Sequence, residues 1–459
     1  MAQTLQFDQD LIRKYDKAGP RYTSYPTAPQ FTNAFGEAEL KRSIARSNNE
    51  MIPKPLSLYV HIPFCDTICY YCACNKIITK NHSLSDEYLD LLETELGMLS
   101  PLFDPDREIE QLHLGGGTPT FLNDEEMMQL MALIEDHFRI APDCEMSIEI
   151  DPRKVTDQSL RTLTNIGFNR MSLGVQDFDE RVQRAVNRVQ SYEMVRDRLQ
   201  AAREYGVQSV NMDLIYGLPF QSVETFGRTL DKVIELRPDR LSIFNYAHLP
   251  ERFKPQRRIN AEDLPSPAEK LDIFQLTLAR LQEAGYVYIG MDHFALESDS
   301  MVKAQQEGTL QRNFQGYSTH ADTDLVAIGV SSIASIGDSY SQNSSDMESY
   351  RELLQSGQLP VVRGLQLSDE DRLRKQVINQ LICHFHLDFD RVEAVWDIRF
   401  SEHFASELEQ LQDMVADGLV EIDARSIRVT DKGRLLIRTV CMVFDEYLRH
   451  NVVQFSKVI

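Results

Sequence analysis

Four of the chain's seven cysteines fall within ten positions, at Cys65, Cys69, Cys72 and Cys74. The first three are spaced C-x3-C-x2-C, and the fourth follows after one residue. Thiols this crowded could bind a metal, form a redox pair or close a disulfide cluster. A disulfide framework fits poorly, because seven cysteines are few and odd in number for 459 residues and such frameworks staple small secreted domains. Structural zinc takes four nitrogen or sulfur ligands, usually as two separated pairs, whereas here one loop holds all four thiols and Cys72 and Cys74 are too close to share an ion without strain. A redox C-x-x-C reading of Cys69 and Cys72 leaves Cys65 without a role. An iron–sulfur cluster accommodates thiolates on a tight loop, since each binds a different iron, and three ligands leave one iron open.

Two further stretches carry groups suited to a ligand. In "HLGGGTPTF" (113–121) a glycine run lets backbone approach a bound molecule closely, and Thr118 adds a hydroxyl. A strand-to-helix turn uses glycines as well. "IEIDP" (148–152) places Glu149 near a strand end, where it is either an acceptor for an ammonium or ribose or a solvated carboxylate.

The elements around these residues alternate. β-rich runs at 56–62, 109–114, 146–150, 171–175, 209–215 and 241–247 are interleaved with helical periodicity at 85–99, 125–138, 157–167 and near 191–205, 222–236 and 268–284. Ser85 is placed to cap the first of these helices and Gly167 to close the third. About six βα units in series predict an α/β fold with a parallel sheet and outer helices, as a closed or partial barrel. The cysteine loop then follows the first strand and the glycine run follows the second, at the sheet edge where ligands gather in such folds. After about residue 360 the pattern changes to a helix over 368–385, a second within 404–422 that ends at Gly418, and a strand and turn over 426–437. This predicts a small, mainly helical C-terminal domain with a winged-helix-like hairpin, whose acidic sequence suits a packing or covering role. The predicted divisions are 1–50, 51–360 and 361–459.

Charge limits the partners. The formal net charge is −22, from 70 acidic and 48 basic residues, which disfavours nucleic acid and anionic lipid surfaces as main partners. No apolar h-region follows a basic start, and no run approaches the roughly 18 apolar residues that span a bilayer. A soluble, cytoplasmic protein is expected.

The cysteine spacing together with "HLGGGTPTF" resembles the radical S-adenosylmethionine (SAM) superfamily. The resemblance implies that Cys65, Cys69 and Cys72 bind a 4Fe-4S cluster, that SAM occupies the open iron, and that Cys74 has another role. It implies that one electron cleaves SAM to a 5′-deoxyadenosyl radical that abstracts hydrogen from substrate. The expected fold is a partial (β/α)6 radical SAM barrel with an N-terminal extension near the substrate.

Within the superfamily the resemblance extends over essentially the whole chain to a branch that decarboxylates a porphyrinogen without oxygen. It is carried by "GPRYTSYPTA" (19–28), "LYVHIPFC" (58–65), "GFNRMSLGVQDF" (167–178), "NMDLIYGLP" (211–219), "FNYAHLP" (244–250), "IGMDHFA" (289–295) and "RNFQGY" (312–317). It implies two SAM molecules per chain. Tyr59, Gly116 and Glu149, with Ala247 and Ile333 packed nearby, would attend the first; Tyr71, Gly117, Thr118, Gln176, Arg188 and Asp213 would attend the second. The implied substrate is coproporphyrinogen III, the product protoporphyrinogen IX, the electron donor a flavodoxin or ferredoxin, and the chain a monomer. A related haem chaperone, an anaerobic haem-degrading relative and a non-catalytic iron–sulfur protein are the competing classes. Charge adds one expectation: four propionates need a local cationic patch, for which Arg21 and Arg312 are candidates beside tyrosines, unless they are ordinary structural arginines.

Overall fold

The computed structural model describes residues 5–320 and 322–449. The chain forms two compact units, each gathered from separated segments: Met1–Gln30, Ser266–Ala321 and Leu367–Ile459 in one, Phe31–Pro265 and Asp322–Gln366 in the other.

The second unit carries the α/β layer. Its strands are β1 (Leu56–Ile62), β2 (Ile109–Gly116), β3 (Ile140–Ile150), β4 (Arg170–Gln176), β5 (Ser209–Tyr216), β6 (Arg240–Asn245), β7 (Asp324–Ile328), β8 (Ile333–Ile336), β9 (Ser339–Asn343) and β10 (Val361–Gln366). They stand in the order β10-β9-β8-β7-β1-β2-β3-β4-β5-β6. Neighbours from β7 through β1 to β6 run parallel, whereas β7-β8, β8-β9 and β9-β10 are antiparallel. Six of the seven parallel strands, β1 to β6, follow the predicted βα series, and the sheet is mixed and not closed.

Along the parallel strands every second residue is apolar and buried. Leu56, Leu58, Val60 and Ile62 in β1 are matched by Leu112 and Leu114 in β2, Met171 and Leu173 in β4, and Met212 and Leu214 in β5. The alternate positions are polar: Ser57, Tyr59 and His61, then Gln111 and His113, Ser147 and Glu149, Ser172, Asn211 and Asp213, and Ser242. The register sets these in rows, with Tyr59 opposite His113, His113 opposite Ser147, and Glu149 opposite Ser172, which faces Asn211. One face of the sheet is thus core, and the other a polar surface built across six strands.

Helices follow the strands with capped starts. Asp124–His137 begins at Asn123, whose side chain accepts from Glu125 N and Glu126 N while Glu126 reaches back to Asn123 N, a capping box. The helix Ser83–Leu99 starts at His82, not at Ser85; Ser85 is buried within its first turn and donates to the Glu126 carboxylate at 2.5 Å. At the end where β1 and β7 begin, Arg107 and Asp324 form an ion pair of 2.6 Å, with side chains 3% and 4% exposed. Ser47 also hydrogen-bonds to Asp324.

In the first unit, the helix Asp369–His384 packs on Ile437–Val443. The predicted helix within 404–422 does end at Gly418, but it is broken into two short helices, Ala405–Gln410 and Gln412–Ala416, and the residues after the glycine form the strand Val420–Ile422. Gly418, in the left-handed region at φ 72°, separates helix from strand, and that strand pairs antiparallel with Ser426–Val429. With His386–Asp388 they form a three-stranded sheet. Among the described residues, no helix is long and apolar enough to cross a membrane.

Candidate active site

The cysteine loop leaves β1 at Ile62. Phe64–Cys65 pairs with Ile77–Ile78, Ile77 N donates to Pro63 O at 2.7 Å, and Thr79 N donates to Cys65 O at 3.0 Å. Both ends of the loop are therefore clamped together. Its middle is tied to the segment after β4, where Tyr70 N donates to Val186 O at 3.0 Å and the Asn187 amide to Ile68 O at 2.7 Å. All four thiols are free; Cys65 and Cys69 are buried, Cys72 half-buried and Cys74 exposed.

Each thiol has its own neighbour. Cys65 Sγ lies 3.2 Å from Thr118 Oγ1, Arg188 Nη1 donates to Cys69 Sγ at 3.6 Å, and Cys72 hydrogen-bonds with Cys74. Burial pushes the Cys65 thiol up to about 11, partly offset by the Thr118 hydroxyl. The Cys72–Cys74 pair shares a hydrogen bond that lowers Cys72 to about 6 and raises Cys74, and the nearby Lys76 ammonium deepens the fall at Cys72. Lys76 is held there by Cys72 O and Cys74 O, each at 3.3 Å.

Among the described residues, no three His, Cys, Asp or Glu side chains converge on a single-ion site. Three cysteines held apart on one clamped loop, with Arg188 and Lys76 offsetting thiolate charge, do not fit tetrahedral zinc. They fit a cluster whose corners each take one thiolate.

The glycine turn packs onto the start of this loop. Gly117 N donates to Ile62 O at 2.8 Å, and a Cβ on Gly117 would lie 2.6 Å from Pro63 O. Gly116 adopts φ 123°, and its Cβ would meet the His61 ring at 2.8 Å. Beside the turn, Gly116 N donates to Glu149 Oε2 at 3.3 Å, and His113 Nε2 stands 3.8 Å from Glu149 Oε1. His113 stacks on Tyr59 at 5.8 Å between ring centres, and its Nδ1 lies 2.6 Å from Ser147 Oγ. Tyr59 OH is 3.1 Å from His61 Nδ1, and burial holds His61 below its ordinary value and therefore neutral.

Farther across the polar face, Ser172 and Asn211 donate to the Asp213 carboxylate at 2.9 and 2.8 Å. Burial, reinforced by the charge of Glu149, nonetheless pushes Asp213 up to about 6. Gln176 ends β4 in the left-handed region at φ 68°, and its Oε1 is buried without a hydrogen-bond partner. Such an acceptor suits a donor from a bound molecule. Arg188 is buried and committed within the chain, donating to Gly174 O at 2.6 and 3.2 Å and to Asp151 at 3.4 Å, besides Cys69. Burial would raise Asp151, but its bidentate pairing with Arg153 and the charge of Arg188 bring it below the usual carboxylate range.

The predicted residues thus fall into connected groups: Tyr59, Gly116 and Glu149 joined by His113; Thr118 with Cys65 beside Gly117; Arg188 with Cys69 and the adjacent Tyr71; and Asp213 within electrostatic reach of Glu149. Ala247 lies half-buried just after β6, and Ile333 opens β8, two strands from β1; neither has a polar link to these groups. Sequence reasoning missed His61, His113, Ser147, Asp151, Arg153, Ser172 and Asn211. All seven carry a readable signal, the period-2 polar positions of the strands or the "DPR" step after β3.

With this geometry in place, comparison with known proteins is specific. A model described as the Radical SAM superfamily matches residues 59–233, and one described as the HemN C-terminal domain matches residues 367–436. The oxygen-independent coproporphyrinogen III oxidase of Pseudomonas aeruginosa is 53% identical, covering 100% of both chains. That of Escherichia coli is 50% identical over 100% of this chain and 99% of its own. A solved structure of coproporphyrinogen III oxidase (HemN) from Escherichia coli, described as a radical SAM enzyme, is similar with a TM-score of 0.92 at 49% identity, over 97% of this chain and 100% of that one.

Proposed function

Because the chain belongs to the oxygen-independent coproporphyrinogen III oxidases of the radical SAM superfamily, we propose that it converts coproporphyrinogen III to protoporphyrinogen IX by oxidative decarboxylation of two propionates. The observation that carries this reading is the clamped loop of Cys65, Cys69 and Cys72 packed against the Gly116–Gly117 turn, in a chain aligned end to end with those enzymes. When bound, a 4Fe-4S cluster and SAM supply the electron-driven hydrogen abstraction from the propionate.

The chain's own residues position and insulate. Cys65, Cys69 and Cys72 hold the cluster, with Thr118 and Arg188 fixing the first two thiols. Tyr59, Gly116 and Glu149, with Ala247 and Ile333, serve a first SAM. Glu149 is 47% exposed, oriented by Gly116 N and His113, and free to take a ligand ammonium. Tyr71, Gly117, Thr118, Gln176, Arg188 and Asp213 serve a second SAM, for which the unsatisfied Gln176 Oε1 is the local support. Each propionate gives up a β-hydrogen, carbon dioxide and one further electron to leave a vinyl group.

On this reading the chain works as a cytoplasmic monomer reduced by a flavodoxin or ferredoxin. Residues 1–50 lie near the substrate, 51–360 form the catalytic body, and 361–459 a C-terminal domain. The test is anaerobic incubation of the iron-reconstituted protein with coproporphyrinogen III, SAM and a reductant. Vinyl product with matching carbon dioxide and deoxyadenosine supports it; a fully assembled cluster that yields none overturns it. Labelled SAM should bind at two equivalents per chain, and a stoichiometry of one would remove the second site.

A further inference from the structure

The unit built from Met1–Gln30, Ser266–Ala321 and Leu367–Ile459 gathers three arginines that come from far apart in sequence. Arg312 lies in the strand Gln311–Asn313, opposite Tyr317, with its guanidinium 4.7 Å over that ring. The ring is itself fixed, since Tyr317 OH donates to Ile382 O at 2.9 Å. Arg312 Nε donates to Arg21 O at 3.4 Å. Arg438, on the helix Ile437–Val443, is 4% exposed; its Nε donates to Pro20 O at 3.1 Å, and its Nη2 donates to Gly19 O. Arg21 Nη1 pairs with Asp292 at 3.1 Å.

Arg312 is the anomaly in this group. Its Nη1 is buried and donates to nothing, and among the described residues it has no carboxylate partner. By contrast, Arg107 is neutralised locally by Asp324, and Arg374 by Glu370, Glu407 and Glu446. Arg312 instead sits beside two other guanidinium groups. The crowding is felt at Arg438, where burial first, and then repulsion from Arg21 and Arg312, lower the affinity for its proton. A buried N–H without an acceptor and a cation without a counter-ion each cost stability, and a chain of net charge −22 had carboxylates to spare. An anion from outside the chain satisfies both.

Building on the proposed decarboxylation, we propose that Arg312, flanked by Arg21 and Arg438, binds a propionate carboxylate of the porphyrinogen, with Asp292 as an internal carboxylate that competes for the same cations. Tyr317 fixes the plane of the Arg312 fork, and Arg438 fixes the Gly19–Pro20 backbone from which Arg21 projects. Binding a carboxylate here supplies the acceptor that Arg312 Nη1 lacks. The site therefore distinguishes the tetracarboxylate from its ester.

The test uses the reconstituted full chain and two stable probes: coproporphyrin III, which keeps the four carboxylates, and its tetramethyl ester, which does not. Loss of a charge-assisted hydrogen bond predicts that Arg312→Gln weakens coproporphyrin III binding by about 10-fold or more. The KM for coproporphyrinogen III should rise in parallel, with kcat, iron content and SAM stoichiometry unchanged. Arg312→Lys, which retains charge, should recover part of the loss. Asp292→Asn should strengthen binding, a direction a purely structural ion pair does not predict. Raised salt should weaken the wild type, and the ester should bind Arg312→Gln and wild type equally. Wild-type affinity in Arg312→Gln, or an ester that binds the wild type as tightly as the acid, overturns the proposal. Should Arg312→Gln fail to fold, unchanged binding in Asp292→Asn overturns it instead. A wild type that binds coproporphyrin III yet forms no vinyl product would sink the decarboxylase reading and leave the carboxylate site standing.

Discussion

Gly117→Ala should damage the cysteine loop more than its one added methyl suggests. The Cβ would stand 2.6 Å from Pro63 O, 2.7 Å from Pro63 C and 2.9 Å from Phe64 O. Ordinary contact begins near 3.4 Å, so the Pro63 carbonyl must retreat by about 0.8 Å, the difference between 3.4 and 2.6. All three atoms are backbone, so no side chain can rotate away. Pro63 O also accepts from Ile77 N at 2.7 Å, and Ile62 O accepts from Gly117 N at 2.8 Å, so retreat strains both clamps of the loop that carries Cys65. Overpacking of this kind costs about 1–3 kcal/mol.

The cost should appear where the strain lies. We expect Gly117→Ala to have a lower urea midpoint as apo-protein and to take up less iron and sulfide on anaerobic reconstitution. Gly206→Ala is the control. It sits at φ 92° with nothing within 4 Å of the added Cβ, so it carries only the left-handed backbone cost of about 1–2 kcal/mol. It should be destabilised yet load iron normally. Wild-type iron uptake in Gly117→Ala, or equal iron loss in Gly206→Ala, would refute the steric account of the glycine turn.

Other outcomes follow from the same geometry. Cys65→Ser, Cys69→Ser and Cys72→Ser should each lose iron and sulfide on analysis, whereas Cys74→Ser should retain most of the cluster. Asp213→Asn should lower vinyl product formation while iron content stays near wild type, because Asp213 bonds to Ser172 and Asn211 and touches no cysteine. Burial pushes Glu95 up to about 7 against hydrogen bonds from Tyr350, Gly329 N and Asn343. The folded chain then holds that proton more tightly than the unfolded one. Its contribution is fully present below the ordinary carboxyl range and is lost as pH rises through about 7, on the order of 3 kcal/mol in all. Glu95→Gln should flatten this slope in pH-dependent urea unfolding.

The parallel core was legible because each strand carries its own signal. "LSLYVHI" and "SVNMDLI" alternate or cluster apolar residues between turn residues, and the intervening helices show their caps and periodicity. The strands β7 to β10, which extend the sheet beyond β1, were not read. β7 is five residues long, buried throughout, and pairs with β1 across more than 260 residues, so nothing local marks it as a strand or names its partner. Gly418 marked the helix end in the sequence, but the strand after it was not legible for a related reason: "VEI" becomes a strand only because Ser426–Val429 is there to pair with it. Ser85 has a capping side chain, but Glu126 from the next helix claims its hydroxyl.

At the site, cysteine spacing and glycines were visible because those residue types have few other uses at such density. The His113–Tyr59 stack and the Ser172–Asp213–Asn211 bonds needed strand register, which parallel strands separated by helices do not state locally. The polar residue at every second position was nonetheless in the text of each strand. Arg188 shows the limit most clearly. Its type suggests a free carboxylate clamp, whereas its position is fixed by Gly174 O, Asp151 and a cysteine thiol.

The placement of buried charge separates the two ends of the sheet. Where β1 and β7 begin, Arg107 is met by Asp324, and Asp324 in turn by Ser47 and Gly337 N. The cost of burying those charges is offset within the chain, and removing one partner would leave the other stranded. Where β1 to β5 end, the pairing is deliberately incomplete. Glu149 is half exposed, Gln176 Oε1 has no donor, and Asp213 is held near 6 by burial despite hydrogen bonds from Ser172, Asn211 and Ser242. Completing those contacts internally would stabilise the free protein, but it would also leave a ligand nothing to bind. A fold secured at one edge by closed ion pairs can tolerate unsatisfied groups at the other, and on the proposed function a bound ligand would complete them.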